Sequence, residues 1–199
     1  MSAADEVVAL FEAKGDGFYG EAIDQRSHAL QCAAEAQAQG ADDSLVVACL
    51  LHDIGHFLVE DTTGQRADLS LVDDRHEAAG SRWLAPRFGS KVANPVALHV
   101  VAKRWRCTVD PGYHASLSGA SQATLVAQGG LLGADEVRRF EQSPGFEHAV
   151  LLRDCDEAAK DPGRSTGRLD DYVTLMERLA VTHFTSSYPS DSNADRASR

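Results

Sequence analysis

Apolar positions along this chain recur at helical intervals, and no Val/Ile/Thr-rich alternating stretch is bounded by hairpin turns. The pattern predicts an all-α fold. Residues 20–39 are rich in Ala, Gln and Glu, with Gly40 placed to end a helix. Asp43 or Ser44 can cap the next helix, 44–57, which is apolar on nearly every side up to His52. A helix of that kind belongs in the middle of a bundle. Asp73 or Asp74 can cap a third helix that ends near Leu84, ahead of Pro86. Asn94-Pro95 reads as a cap followed by proline at the first helical position, opening 95–106. Ser118 or Ser121 opens a short helix closed by Gly129-Gly130, and further helices are expected at 134–142, 145–159 and 169–183. Asp161-Pro162-Gly163 reads as a turn. No repeat or long linker divides the chain, so residues 1–183 are expected to form one domain, and the Ser/Asp/Asn-rich residues 184–199 a frayed tail.

Composition narrows the function classes. With 199 residues, 43% of them hydrophobic, the chain is long enough to bury a sizeable core. Its net charge of -11 argues against a general nucleic-acid binder, though local cations can still hold a small anion. The strongest apolar run, Leu45 to Leu51, is too short to span a bilayer, so no membrane partner is expected. No basic segment followed by an apolar stretch opens the sequence, which reads as lacking a secretory signal. Cys32, Cys49, Cys107 and Cys155 are scattered without a C-x-x-C pair, as expected for free thiols in a reducing cytoplasm.

Candidate chemistry lies in the histidines. His28, His52, His76 and His99 fall on four predicted helices at separations of 24, 24 and 23 residues. A helix plus a turn takes about that length, so successive helices can each send one imidazole, a good transition-metal ligand, to a common point. The densest element is His52-Asp53-Ile54-Gly55-His56. His52 can bind one ion while Asp53 reaches between two, as a bridging carboxylate does in two-metal sites. A bare Asp53 carboxylate among Ala, Leu and Val also calls for a compensating cation. His56, one turn on, is either a ligand or a donor to substrate. The bland alternative for any one histidine is a satisfied core residue. Read as a shortened H-E-x-x-H zinc-protease helix, the motif would leave the other histidines unexplained. Late in the chain, Asp156 follows Arg153 by three residues, so both can face one cavity; a solvated charge cluster is the alternative.

His28, His52-Asp53 and Asp156 together resemble the H…HD…D pattern of the HD superfamily, and His76 and His99 resemble its two-metal branch. The segments Phe18 to Gln25, His28 to Ala33, His52 to His56, His99 to Arg104, Leu117 to Ser121, Gln128-Gly129-Gly130 and Asp156 to Lys160 are similar to one narrow group, the PhnZ/TmpB-type HD-domain mixed-valence di-iron oxygenases. That group cleaves the carbon–phosphorus bond of 1-hydroxyphosphonates, and the likeness covers roughly residues 15–175. It implies an all-α HD-domain helical bundle with the di-metal site at its centre. It implies one iron on His28, His52, Asp53 and Asp156, and a second on Asp53, His76 and His99, with open positions for substrate and dioxygen. Substrate contacts carry over to Glu21, His56, Lys103, Ser121, Thr124 and Arg153, with Asp53, His56 and Lys103 closest to the chemistry. The family pattern has a gating tyrosine three residues before the matching glutamate. Here that position is Phe18, which leaves the neighbouring Tyr19 as the candidate gate.

The resemblance implies two irons in a mixed-valence Fe(II)/Fe(III) pair, O2 as co-substrate and a small organophosphonate as substrate. Its product would be phosphate with glycine or glycine betaine, according to whether C2 carries an amino or a trimethylammonio group. Phe18, Tyr19, Trp83 and Trp105 are candidates for a cation–π wall around the latter, or else ordinary core and surface aromatics. Two rival readings remain. One is a metal-dependent HD phosphohydrolase acting on a nucleotide or phosphate ester, whose metals activate water without redox chemistry. The other is a catalytically silent regulatory domain, in which loss of ligand residues is expected; all six are present here.

Overall fold

The computed structural model of the chain describes residues 1–18, 22–58 and 75–181. Among these it shows α1 (Ala3–Lys14), α2 (Gln25–Ala38), α3 (Asp43–Leu51), α4 (Gly55–Leu58), α5 (His76–Phe88), α6 (Ser90–Val109), α7 (Pro111–Ser116), α8 (Gly119–Ala127), α9 (Ala134–Glu141), α10 (Phe146–Ala158), a 3₁₀ turn (Leu169–Tyr172) and α11 (Val173–Leu179). No strand occurs among the described residues.

α3 explains the layout. Every side chain from Leu45 to Leu51 is buried, so the helix must be surrounded. α2, α6, α10 and α11 pack against it. α5 lies along α6, and α10 joins α6 to α2. The resulting core runs from Phe11 through Leu50, Leu84, Val92 and Leu152 to Met176. A satellite cluster of Ala102, Phe140 and Ala149, with Trp105 and Phe146 against it, locks α9 to α6 and α10.

Local signals place the helix ends. Asp24 caps α2 by accepting from Ser27 N at 2.9 Å, so the helix starts five residues later than the Ala/Gln pattern predicted. Gly40 closes it in the left-handed region, with Ala41 N on Ala36 O and Gly40 N on Gln37 O. Asp42, rather than Asp43 or Ser44, caps α3. The predicted helices at 134–142 and 145–159 correspond to α9 and α10 within one residue, and Ser118 caps α8 as expected. The 169–183 segment begins as a 3₁₀ turn before it becomes α11.

Neither Pro86 nor Pro95 marks the helix boundary that the sequence pattern predicts. α5 runs through Pro86 to Phe88, and α6 starts at Ser90 with Pro95 inside it. Pro86 sits in the last turn and forgoes one backbone N–H bond there, while Arg87 Nη1 donates to Trp83 O at 2.9 Å. The true break is Gly89, at φ 76° and ψ 178°, which turns α5 directly into α6. α5 is capped at Arg75; Asp73 and Asp74 lie outside the described residues, as do the expected tail, 184–199, and the last two residues of the expected 169–183 helix. α1 and α7 were not foreseen. Yet Ser2 and Asp5 form a capping box, Ala4, Val7 and Phe11 make a helical stripe, and Asp110-Pro111 opens α7.

All four cysteines are free and buried, and no helix among the described residues is long and apolar enough to cross a membrane.

The conformation of Gly89 is one that only glycine adopts readily. An added Cβ would meet nothing closer than Val181 Cγ2 at 3.8 Å, so the cost of a side chain is backbone strain alone. Gly89→Ala is expected to lower unfolding stability by about 1–3 kcal/mol in urea denaturation; an unchanged midpoint would contradict this account of the α5–α6 junction.

Candidate metal centre

The His52-Asp53 pair does not lie on a continuous helix. α3 ends at Leu51, and the chain tightens through i to i−3 hydrogen bonds: Ile54 N to Leu51 O, His56 N to Asp53 O, and Phe57 N to Ile54 O, at 2.9–3.1 Å. The predicted helix 44–57 is therefore interrupted where its chemistry sits. Gly55 makes this possible. A Cβ there would lie 1.9 Å from His76 O, so the turn closes directly onto the first residue of α5.

Two groups of side chains converge on Asp53. On one side, His28 Nε2 and His52 Nε2 are 3.2 Å apart. Asp53 Oδ2 lies 3.8 Å from the first and 3.4 Å from the second. Asp156 Oδ1 completes this side, 3.3 Å from His28 Nε2 and 3.8 Å from His52 Nε2. On the other side, His76 Nε2 and His99 Nε2 are 3.1 Å apart, and Asp53 Oδ1 is 3.5 and 3.7 Å from them. The two carboxylate oxygens thus face different histidine pairs, and each triad has the spacing of a metal-binding group. The α2, α3–α4, α5, α6 and α10 segments each contribute at least one of these side chains.

The imidazoles are aimed by backbone. Nδ1–H donates to a carbonyl in three of the four: His28 to Ala159 O at 2.7 Å, His52 to Cys49 O at 2.8 Å, and His99 to Val96 O at 2.7 Å. This tautomer leaves the Nε2 lone pair pointing into the cluster, the second-shell arrangement found around metal-bound histidine. Nε2 atoms so turned and 3.1–3.2 Å apart need either a shared proton or a metal cation between them. Ligand atoms about 2.1 Å from one ion stand roughly 3.0–3.4 Å from each other in octahedral or tetrahedral geometry, so the observed separations fit such an ion. Burial and the neighbouring His76 and His52 push His99 down to about 3, keeping its ring neutral and able to ligate. Burial acts to raise the Asp53 carboxyl, but the rings of His52, His56, His76 and His28 outweigh it and hold it well below the usual carboxylate range.

Beside this cluster stands a set of cations and hydroxyls. Arg153 is buried; its Nη1 donates to Asp156 Oδ2 at 2.5 Å, its Nε to Tyr113 OH at 2.6 Å, and its Nη2 to Glu157. Burial acts to raise the Asp156 carboxyl, but the Arg153 guanidinium beside it holds it well below its ordinary value. Lys103, also buried, donates to Thr124 Oγ1 at 2.9 Å, and Lys160 donates to Ser121 Oγ at 2.7 Å. Burial, reinforced by Arg153, pushes the Lys103 ammonium down to about 8.

The structure therefore brings His28, His52, Asp53, His76, His99 and Asp156 together, and sets Lys103, Thr124, Ser121 and Arg153 in hydrogen-bonded pairs. His56 stacks on His76, with ring centroids 4.0 Å apart. Tyr19 and Glu21 lie outside the described residues. The aromatic wall does not form from the tryptophans: Trp105 packs on Phe140 and Phe146, and Trp83 stacks under Arg87. Phe18 is 59% exposed. Tyr113 and Lys160 were missed as site residues. Tyr113 sits on the unforeseen α7, and only tertiary packing brings Lys160 to Ser121.

The HD domain family model matches residues 26–128. The chain is 43% identical over 176 residues to a hydroxymethylphosphonate dioxygenase of Gimesia maris, an alignment covering 87% of each protein. It is 35% identical over 175 residues to a glycine-betaine-forming 1-hydroxy-2-(trimethylamino)ethylphosphonate dioxygenase of Leisingera caerulea, covering 87% of this chain and 88% of that one.

Because any side chain at position 55 collides with the backbone of His76, Gly55→Ala is expected to displace His76 while leaving the His28–His52–Asp156 side in place. Metal bound per chain, measured by elemental analysis after anaerobic loading, should fall from about two toward one. Unchanged stoichiometry would contradict the role of Gly55.

Proposed function

This chain belongs to the HD-domain family, and from that premise we propose that it holds two iron ions about Asp53 and uses O2 to cleave the carbon–phosphorus bond of a small 1-hydroxyphosphonate. The observation that carries the reading is the Asp53–His76–His99 triad. Two histidines and one carboxylate on one side of an ion are the donor set of non-haem Fe(II) oxygenases, and they leave positions open. His28, His52 and Asp156 hold the other ion, with Asp53 shared between the two. When bound as an Fe(II)/Fe(III) pair, the irons supply the redox chemistry that lets O2 attack the C1–H bond.

The protein's own part is to position the substrate. Lys103 and Arg153 supply charge for the phosphonate dianion within an otherwise acidic protein. Three of the five guanidinium N–H groups of Arg153 are held by Asp156, Tyr113 and Glu157, which fixes the plane of the other two. Ser121 and Thr124 lie in the first two turns of α8, where the helix N-terminus favours an anion. His56, which stacks on His76, is proposed as the contact to the substrate hydroxyl. Holding C1–H against the oxidant is a proximity effect. Asp53 would be shared between the ions, and Glu21 and Tyr19 are proposed as a further substrate contact and a gate.

Hydroxymethylphosphonate is the favoured substrate. The Gimesia maris relative is named for it, and neither tryptophan is free to wall a quaternary ammonium. The reaction converts hydroxymethylphosphonate and O2 to formate, phosphate and one proton. A hydrolytic reading, with water as the attacking group, has no need of O2.

Phosphate release from hydroxymethylphosphonate by the iron-loaded protein is expected in air and absent under argon; release that persists without oxygen would replace the oxygenase reading with hydrolysis. The 2-amino- and 2-trimethylammonio-1-hydroxyethyl analogues, assayed alongside, should react more slowly. A pH dependence is also expected. Lys103 is charged below about pH 8 and neutral above it, so KM should rise about tenfold per unit beyond that point. Lys103→Arg, charged throughout, should flatten that limb in a KM–pH profile. A limb that survives in this variant would assign the titration to another group.

A further inference from the structure

Lys160 follows the last turn of α10, in a segment pinned on both sides by buried side chains of α2. The carbonyl of Ala159 accepts from His28 Nδ1 at 2.7 Å, and Gln31 Nε2 donates to Asp161 O at 2.6 Å while its Oε1 accepts from Asp161 N at 3.2 Å. The backbone on either side of Lys160 is thus tied to the helix that carries a cluster histidine. From this fixed base the side chain, only 14% exposed, crosses to Ser121 Oγ at 2.7 Å and passes Glu157 Oε2 at 3.3 Å. Glu157 also takes Arg153 Nη2, so one carboxylate holds both cations in register.

A serine hydroxyl has one hydrogen to give and two lone pairs to receive; an ammonium has no lone pair. The contact between them runs one way. Lys160 donates, Ser121 Oγ accepts, and the hydroxyl hydrogen of Ser121 is left for another acceptor. The backbone N–H of Ser121 is already committed to Ser118 Oγ at 3.0 Å.

We propose that Lys160 is a positioning residue for the phosphonate: by donating to Ser121 Oγ it turns the serine hydroxyl hydrogen toward a phosphonate oxygen. The inference rests on the reading of the site as a hydroxyphosphonate site. Lys160 acts through Ser121, and Glu157 keeps the ammonium in place. Without Lys160 the hydroxyl is free to rotate and to spend its hydrogen elsewhere.

The test measures binding apart from turnover. Iron-loaded protein, kept anaerobic, is titrated calorimetrically with hydroxymethylphosphonate and with inorganic phosphate. Lys160→Met is expected to weaken hydroxymethylphosphonate about tenfold, the scale of one charge-assisted hydrogen bond. Lys160→Arg, which also donates without accepting, should stay within about threefold of the wild type. In a Ser121→Ala background Lys160→Met should cost less than about twofold more. Iron content and melting temperature should match the wild type in both Lys160 variants. Unchanged binding in Lys160→Met, the same tenfold loss without the serine, or a fall in iron content or melting temperature would each overturn the assignment. Wild-type protein that binds the phosphonate but releases no phosphate in air would remove the oxygenase reading and leave the role of Lys160 standing. Protein that binds neither anion would overturn both.

Discussion

Four imidazole lone pairs and two carboxylates face one another in the middle of this fold, and that repulsion is the constraint around which the rest is arranged. With no proton or metal cation between them, the Nε2 atoms of His28 and His52, 3.2 Å apart, and those of His76 and His99, 3.1 Å apart, would repel each other. Positive charge on either side of Asp53, as proposed, would turn the same contacts into ties between α2, α3, α5 and α6.

The surrounding structure reads as support for that arrangement. Backbone carbonyls at Cys49, Val96 and Ala159 fix which nitrogen of each ring carries the proton. Gly55 brings the α3–α4 turn against α5 and so brings the two histidine pairs together, while Gly89 folds α5 back along α6 and so brings His76 to His99. Arg153 does a parallel service for Asp156, holding Oδ2 so that Oδ1 faces the first pair. The same arginine reaches toward the side where Lys103, Thr124, Ser121 and Lys160 gather. The His/Asp cluster and the proposed anion-binding groups thus share a single hydrogen-bond network.

Much of this was legible in the sequence because it depends on helical period and on residue type. The wholly apolar Leu45–Leu51 run announced a central helix, and the regular spacing of His28, His52, His76 and His99 announced a common meeting point. Less legible were features set by tertiary contact. Pro86 and Pro95 looked like helix ends, yet the turn was made by Gly89, whose unusual backbone leaves no mark in hydrophobic pattern. The break after Leu51 came from the approach of His76 to Gly55, residues 21 positions apart. Lys160 and Tyr113 became visible only when α7, α8 and α10 were brought together, since nothing in their local sequence points to Ser121 or Arg153.

The central claim is that two ions sit on opposite sides of one carboxylate. Crystals of the iron-loaded protein, measured with anomalous diffraction at the iron absorption edge, test it most directly. Two peaks flanking Asp53 are expected, one among His28, His52 and Asp156 and the other between His76 and His99. A single peak, or iron bound away from Asp53, would contradict it.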